Sequence, residues 1–423
     1  VVSVSAKTKL LNQINRTKPH MKNRWLKAQP GQGLLSHVVS MLTLAMGVAP
    51  LLAAPPPGNW TLNWSDEFSG TSIDSSKWSW GSLPWGGRHH TDDYASYIMP
   101  EDSYVSDGYL YLRCRKATGS EFGGYPYSEG FVHSNGKKNY TYGYVEIRAR
   151  FPKGKGVWPA FWMLPQGWPP EFDIAEYFGS DDRMHMGLCT GTSSAPKWES
   201  SNFYNEGVDS WHTWGLEWGP GYAIWYKDGT VKKAIYGTHV PNVPMYLILN
   251  SGMRWDADST TPSPNYFIVD YVRLYTLPAG PVANGIYRIV NRKSGKVLDV
   301  ANQSTANGAN VQQWGWNGGN NQRWCITHLG NNQYKIIGVQ SGKALDVNAS
   351  STADGANVQI WTYSGANNQR WTITATSGGY YSIRAVHSGK ALDVAGQSTA
   401  DGANVQQWSY WGGDNQQWKF ETP

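Results

Sequence analysis

The sequence predicts an all-β protein in two unlike halves: a β-sandwich, then a closed β unit built by threefold repetition. Three observations carry this. Short runs of alternating polarity recur between Gly-rich turns from residue 60 to residue 276, with little helical periodicity. Farther on, one block of sequence returns three times at a fixed step of 47 residues. The chain also holds 47 Gly and 23 Trp among 423 residues, the turn formers and flat aromatics that β-rich cores use.

The N-terminus reads as lying outside the fold. Residues 1–20 precede Met21 and read as an upstream extension. From Met21 the chain carries Lys22, Arg24 and Lys27, then an apolar stretch from Leu34 that ends in Leu52-Ala53-Ala54. A charged region, an apolar region and small residues in that order predict a signal peptide over 21–54 and a secreted, extracellular protein. The apolar stretch is long, so an uncleaved anchor is the alternative; after cleavage no membrane association is expected. A Pro-rich linker covers 55–59.

The first half, 60–276, is a series of strands. Tyr142 to Phe151 alternates as a half-buried strand does. Tyr222 to Ala234 reads as a hairpin turned at Asp228-Gly229, and Tyr266 to Tyr275 as a further strand. Many short strands and Gly-rich turns predict a sandwich or jelly roll. Residues 277–283, rich in Pro and Gly, read as a linker. In 284–423, Gly295-Lys296-Val297-Leu298-Asp299-Val300 recurs at Gly342 and at Gly389. Gln322-x-Trp324 recurs at Gln369 and Gln416. A lobe that small buries no core alone, so three must pack around one axis.

The chemical centre is Glu171-Phe172-Asp173-Ile174-Ala175-Glu176. On a strand, Glu171 and Asp173 share one face while Phe172 and Ile174 turn to the core. Regular alternation would put Ala175 on the acidic face, and one extra residue, a β-bulge, would return Glu176 to it. Three carboxylates on one face repel each other, which stability alone does not explain. A structural calcium site is the plain alternative, although calcium usually sits in loops with backbone carbonyls. Paired carboxylates are what glycoside hydrolysis needs: one attacks the anomeric carbon and one protonates the leaving oxygen. Asp173 between them would help keep Glu176 protonated, since nearby negative charge raises a carboxyl pKa.

Composition narrows the partners. A formal net charge of +5 without a basic run argues against nucleic acid. Cys114, Cys189 and Cys325 are scattered, without metal-type spacing, and are expected as free thiols. The paired carboxylates imply a polysaccharide substrate, the resemblance of the repeats to a lectin domain implies a glycan ligand, and a monomeric protein is expected.

The ExDxxE pattern, together with Trp64-Ser65-Asp66-Glu67-Phe68, Tyr142 to Arg148, Gly156 to Trp162, Trp214-Gly215-Leu216-Glu217-Trp218 and Tyr246 to Asn250, closely resembles the bulged branch of glycoside hydrolase family 16. That resemblance implies a β-jelly-roll with a cleft, Glu171 as nucleophile, Asp173 as helper and Glu176 as acid/base. It implies Trp158 and Trp162 as cleft tryptophans, with Trp168 a third, and His185 and Asn250 as further substrate contacts. The family's second His falls at Cys189 here. Asp270 matches a frequent calcium position, so a structural calcium ion is the one cofactor considered and none is expected for catalysis.

The repeats resemble the ricin-type lectin domain, carbohydrate-binding module family 13, whose fold is the β-trefoil. The resemblance implies one sugar-binding set per lobe: Asp299, Gln312, Trp314, Asn321; Asp346, Gln359, Trp361, Asn368; Asp393, Gln406, Trp408, Asn415. The disulfide many members carry in each lobe is replaced by Val297 and Trp316, Ala344 and Tyr363, Ala391 and Tyr410, which are expected to pack against each other. The predicted activity is retaining, endo-acting hydrolysis of β-1,3- or mixed-linkage β-1,3-1,4-glucan. An endo-acting galactan hydrolase is the runner-up, because the loop from Trp85 to Tyr94 lacks the segment typical of laminarin-active members. Arg88, His89 and His90 in that loop read as an ordinary polar turn or as contacts to an acidic sugar. A non-catalytic lectin is the alternative of another class, and transglycosylation stays open.

Overall fold

The computed structural model describes residues 55–423. The segment read as a signal peptide and the extension before it lie outside the described residues. Among the described residues there is no α-helix, so none is long and apolar enough to cross a membrane.

Two eight-stranded sheets form the first half. One runs Thr230–Tyr236, Tyr222–Lys227, His212–Gly219, Gly143–Arg150, Asn265–Thr276, Tyr109–Cys114, Ser103–Ser106, with Thr61–Asp66 also paired to Asn265–Thr276. The other runs Ala195–Tyr204, Arg183–Thr192, Glu171–Phe178, Val157–Leu164, Met245–Met253, Phe131–His133, Ser79–Trp80, with Asn139–Tyr140 also paired to Met245–Met253. Neighbours come from distant parts of the chain, which is the jelly-roll pattern. Alternation decides the faces. Val145, Ile147 and Ala149 meet Phe161, Met163, Phe172 and Ile174 in the core between the sheets. Ala160, Trp162 and Leu164 point the other way, into a smaller cluster with Leu83, Phe131 and Ile248. Asp228 and Gly229 both adopt positive φ, 48° and 72°, as a tight hairpin turn requires.

The second half is a trefoil. Leu298, Leu345 and Leu392 and the tryptophans Trp324, Trp371 and Trp418 are all fully buried in one core. Each of these indoles donates to the carbonyl of its lobe's leucine, at 2.9–3.0 Å. Each Gln of the repeated Gln-x-Trp pins a turn, through Gly315, Thr362 and Ser409. Asn310, Asn357 and Asn404 close a ring of amide hydrogen bonds between the lobes. Trp316, Tyr363 and Tyr410 are half-buried, each beneath a cation, here Arg288, Lys335 and Arg384.

Residues 277–283 form no strand, yet they are packed down. The Pro278 carbonyl accepts from His328, and the Val282 N–H donates to the Tyr334 hydroxyl. Beside them, Tyr222, Ile224 and Tyr226 of the sandwich meet Cys325, Ile337 and Ala344 of the trefoil. Lys335 donates to Glu217 at 2.6 Å inside this junction, with both side chains buried. The strands used belong to the sheet opposite the acidic one.

Candidate active site

The acidic strand, Glu171–Phe178, lies between Val157–Leu164 and Arg183–Thr192. Between Asp173 and Glu176 its register slips against both neighbours. Asp173 faces Gly187 and Glu176 faces His185, so two residues oppose one. Ile174 and Ala175 both turn inward and are fully buried. This is the extra residue that brings Glu176 onto the face of Glu171 and Asp173.

That face floors an open cleft of about 890 Å³, a volume suited to several sugar rings. Trp158, Trp162 and Trp168 line it, with Trp85, Tyr94 and Trp198. The Trp168 indole N–H donates to Glu171 at 2.5 Å, and the Trp158 N–H donates to Glu176 at 2.7 Å. Nδ1 of His185 lies 2.9 Å from Asn202 Oδ1, and its Nε2 lies 3.7 Å from Asp173. Ligating atoms of Asp173, Glu176 and His185 fall within 4.8 Å of one another.

Burial raises the pKa of all three carboxyls. It acts most strongly on Asp173, where Glu171 and Glu176 add their charge. A hydrogen bond between Asp173 and Glu171 pushes Asp173 further up and pulls Glu171 down. Glu176 is pushed up to about 7, first by burial, while the Trp158 hydrogen bond pulls it down. The charge of Glu171 then raises it, and Arg183 and Arg254 lower it. Asp173 lies on the same face between the two glutamates.

Of the predicted contacts, Trp158, Trp162, Trp168 and His185 line the cleft. Asn250 does not. It is fully buried, accepting from Trp162 and donating to Glu129, so its amide is already used. The Asp270 carboxylate is paired with Arg148 at 2.6 Å. Cys189 lies opposite Glu171, and burial pushes its thiol up to about 11, far from a reactive thiolate. All three cysteines are free. In the loop after Trp85, His90 lines the cleft, whereas His89 stacks on Tyr125 at 4.0 Å. Trp85, Trp198, Phe178 and Arg183 are cleft residues that sequence reasoning did not single out as contacts. A Trp198 set among the polar residues Lys197, Glu199, Ser200 and Ser201 was the available signal, and the side chain is exposed on an edge strand.

The three trefoil sets repeat one geometry. Asp299 accepts from Gln312 at 2.9 Å and from Asn321 at 2.7 Å. Asp346 does so from Gln359 and Asn368, and Asp393 from Gln406 and Asn415. Each aspartate is buried, while Trp314, Trp361 and Trp408 stay 41–44% exposed, which leaves indole face open to a ring. Asp401 and Asp354 bind Lys296 and Lys390 beside the first and third sets. At the second, Asn307 takes that place and accepts from Thr362.

Comparison with known proteins agrees with both halves. Residues 91–273 match the glycosyl hydrolases family 16, and residues 273–361 and 367–423 match the ricin-type beta-trefoil lectin domain-like family. The chain is 31% identical to the clotting factor G alpha subunit of Tachypleus tridentatus, over 69% of this chain and 46% of that one. It is 34% identical to a keratan-sulfate endo-1,4-beta-galactosidase of Sphingobacterium multivorum, over 52% and 56%. It is 32% identical to a glucan endo-1,3-beta-glucosidase of Cryptopygus antarcticus, over 41% and 68%. The chain spans about half the length of the first two of these relatives. With this sandwich, this bulged acidic strand and these matches, the chain belongs to glycosyl hydrolase family 16 and carries a ricin-type β-trefoil lectin domain behind it.

Proposed function

We propose that the protein is a secreted endo-β-glucanase that cleaves internal β-1,3 or mixed β-1,3-1,4 linkages by double displacement. The observation that carries this is the β-bulge that places Glu171 and Glu176 on one face, inside one tryptophan-lined cleft. Glu171 attacks the anomeric carbon as a carboxylate, supported by hydrogen bonds from Trp168 and Asp173. Glu176, pushed up to about 7, gives its proton to the leaving oxygen. It then takes a proton from the water that releases the glycosyl group. An open cleft suits endo attack, and the exposed indoles offer faces to the sugars of a bound chain. The trefoil holds the enzyme on its glycan through up to three sets. The charged and apolar order of residues 21–54 supports export.

A galactan substrate is the second reading. The 34% identity to a keratan-sulfate endo-1,4-beta-galactosidase favours it. So do Arg183 on the cleft wall and Arg254 against the Trp158 ring at 5.0 Å, guanidiniums that suit a sulfated sugar.

The test is end-product analysis on laminarin, barley mixed-linkage glucan, agarose, κ-carrageenan and keratan sulfate, with Glu171→Gln as the blank. Oligosaccharides from a glucan are expected. Products only from a galactan would overturn the substrate and keep the chemistry. Silence across the panel would favour a lectin.

A further inference from the structure

Glu129 is a fully buried carboxylate outside the acidic strand. It ends the Tyr127–Glu129 strand and lies beneath the cleft wall. Ser96 donates to one of its oxygens at 2.8 Å. Asn250 donates to the other at 2.8 Å, and His90 Nε2 lies 3.2 Å from that same oxygen. Each of the last two partners leads to a cleft tryptophan. The Asn250 carbonyl oxygen accepts from the Trp162 indole at 2.9 Å. The His90 ring stacks on Tyr94 at 4.2 Å and 9°, and Tyr94 stacks on Trp158 at 4.2 Å and 17°. The Trp158 N–H then meets Glu176 at 2.7 Å.

The contact between the Glu129 carboxyl and Nε2 of His90 sets the plane of the ring. The plane passes through two stacked rings to the indole. A buried carboxyl is costly unless its oxygens find partners, and here three side chains meet them.

We infer that Glu129 is a positioning residue for this reaction: through His90 and Tyr94 it holds the Trp158 N–H on Glu176, and through Asn250 it holds Trp162. The inference rests on the glycanase reading and goes beyond it. Glu176 is also faced by Glu171 and Asp173 of its own strand, by Arg183 and His185 of the next strand, and by Arg254. Glu129 has no hydrogen bond to any of these; Arg254, which packs on the Trp158 ring at 5.0 Å and lowers the pKa of Glu176, would shift that pKa in the same direction as the lost indole hydrogen bond does, if the indole moved away.

The test is the pH profile of kcat on the preferred glucan. Glu129→Leu keeps bulk and removes every acceptor. It should lower kcat roughly 10- to 100-fold, as expected for a misplacement on the order of 1 Å. It should also move the alkaline limb to higher pH, because Glu176 loses a hydrogen bond that favours its ionised form. Glu129→Gln, which keeps one acceptor oxygen, should restore most of both. Trp158→Phe should move the limb the same way, and Glu129→Leu added to it should move the limb no further. An unmoved limb in folded Glu129→Leu, or a full second shift in the double variant, would overturn the inference. If Glu129→Leu does not fold, Tyr94→Leu cuts the same stack and should give the same limb shift; no shift would again overturn it. If the wild type cleaves nothing, the functional reading fails first. A crystal structure of Glu129→Leu then decides: the Trp158 nitrogen should lie beyond about 3.5 Å from Glu176, and an unchanged contact would overturn positioning.

Discussion

Asp173 in the cleft and Asp299 in the trefoil are buried alike, each 3% exposed, and each stands near a tryptophan. Their neighbours differ. Asp299 has an amide donor on each oxygen, from Gln312 and Asn321, and its two counterparts repeat this. Asp173 has two other carboxylates for company, Glu171 and Glu176. A carboxylate with a fixed amide on each oxygen is held rigidly and keeps further acceptor capacity for a ligand's hydroxyls, which suits recognition. Burial raises both, but only in the cleft does the charge of neighbouring carboxylates raise an aspartate further, the environment that the proposed mechanism needs.

The largest effect that would break this contrast is at Glu171. Glu171→Gln should lower hydrolysis on the order of 10⁴-fold, with the fold and the retention on insoluble glucan unchanged. Activity near that of the wild type in a folded Glu171→Gln protein would remove the cleft from the chemistry. The next concerns the junction between the two regions. Lys335→Met leaves Glu217 buried without its cation and should cost on the order of 3–5 kcal/mol. A lower melting temperature and faster proteolysis between residues 277 and 283 would report it. The double variant with Glu217→Gln should recover most of the loss; no loss in the single variant would mean that the two halves are independent. The smallest effect belongs to the trefoil. Asp299→Asn, Asp346→Asn and Asp393→Asn together should weaken retention on insoluble glucan on the order of 10²-fold, and one alone far less. Retention that survives all three would move the glycan sites elsewhere.

What the sequence disclosed follows from where the signals lie. The 47-residue step and the slip from Asp173 to Glu176 are local patterns, and both sheets and lobes obey them. The electrostatics of the cleft were harder to read, because adding charges along one strand misses the burial that raises all three carboxyls, which comes from other parts of the chain. Asn250 was misread since a motif gives position without exposure, and its partners are 88 and 121 residues away. Glu129 gave no signal at all, as every side chain that explains it comes from elsewhere in the chain. The Pro-Gly segment at 277–283 looked free because its own residues favour turns. The packing that fixes it comes from His328 and Tyr334.

The most direct test of the cleft chemistry is proton NMR of the first product released from a soluble β-glucan, recorded before the anomers equilibrate. Double displacement at Glu171 predicts that the β-anomer appears first and the α-anomer grows in later. An α-anomer at the earliest time points would mean a single displacement by water, and would contradict the roles given to Glu171 and Glu176.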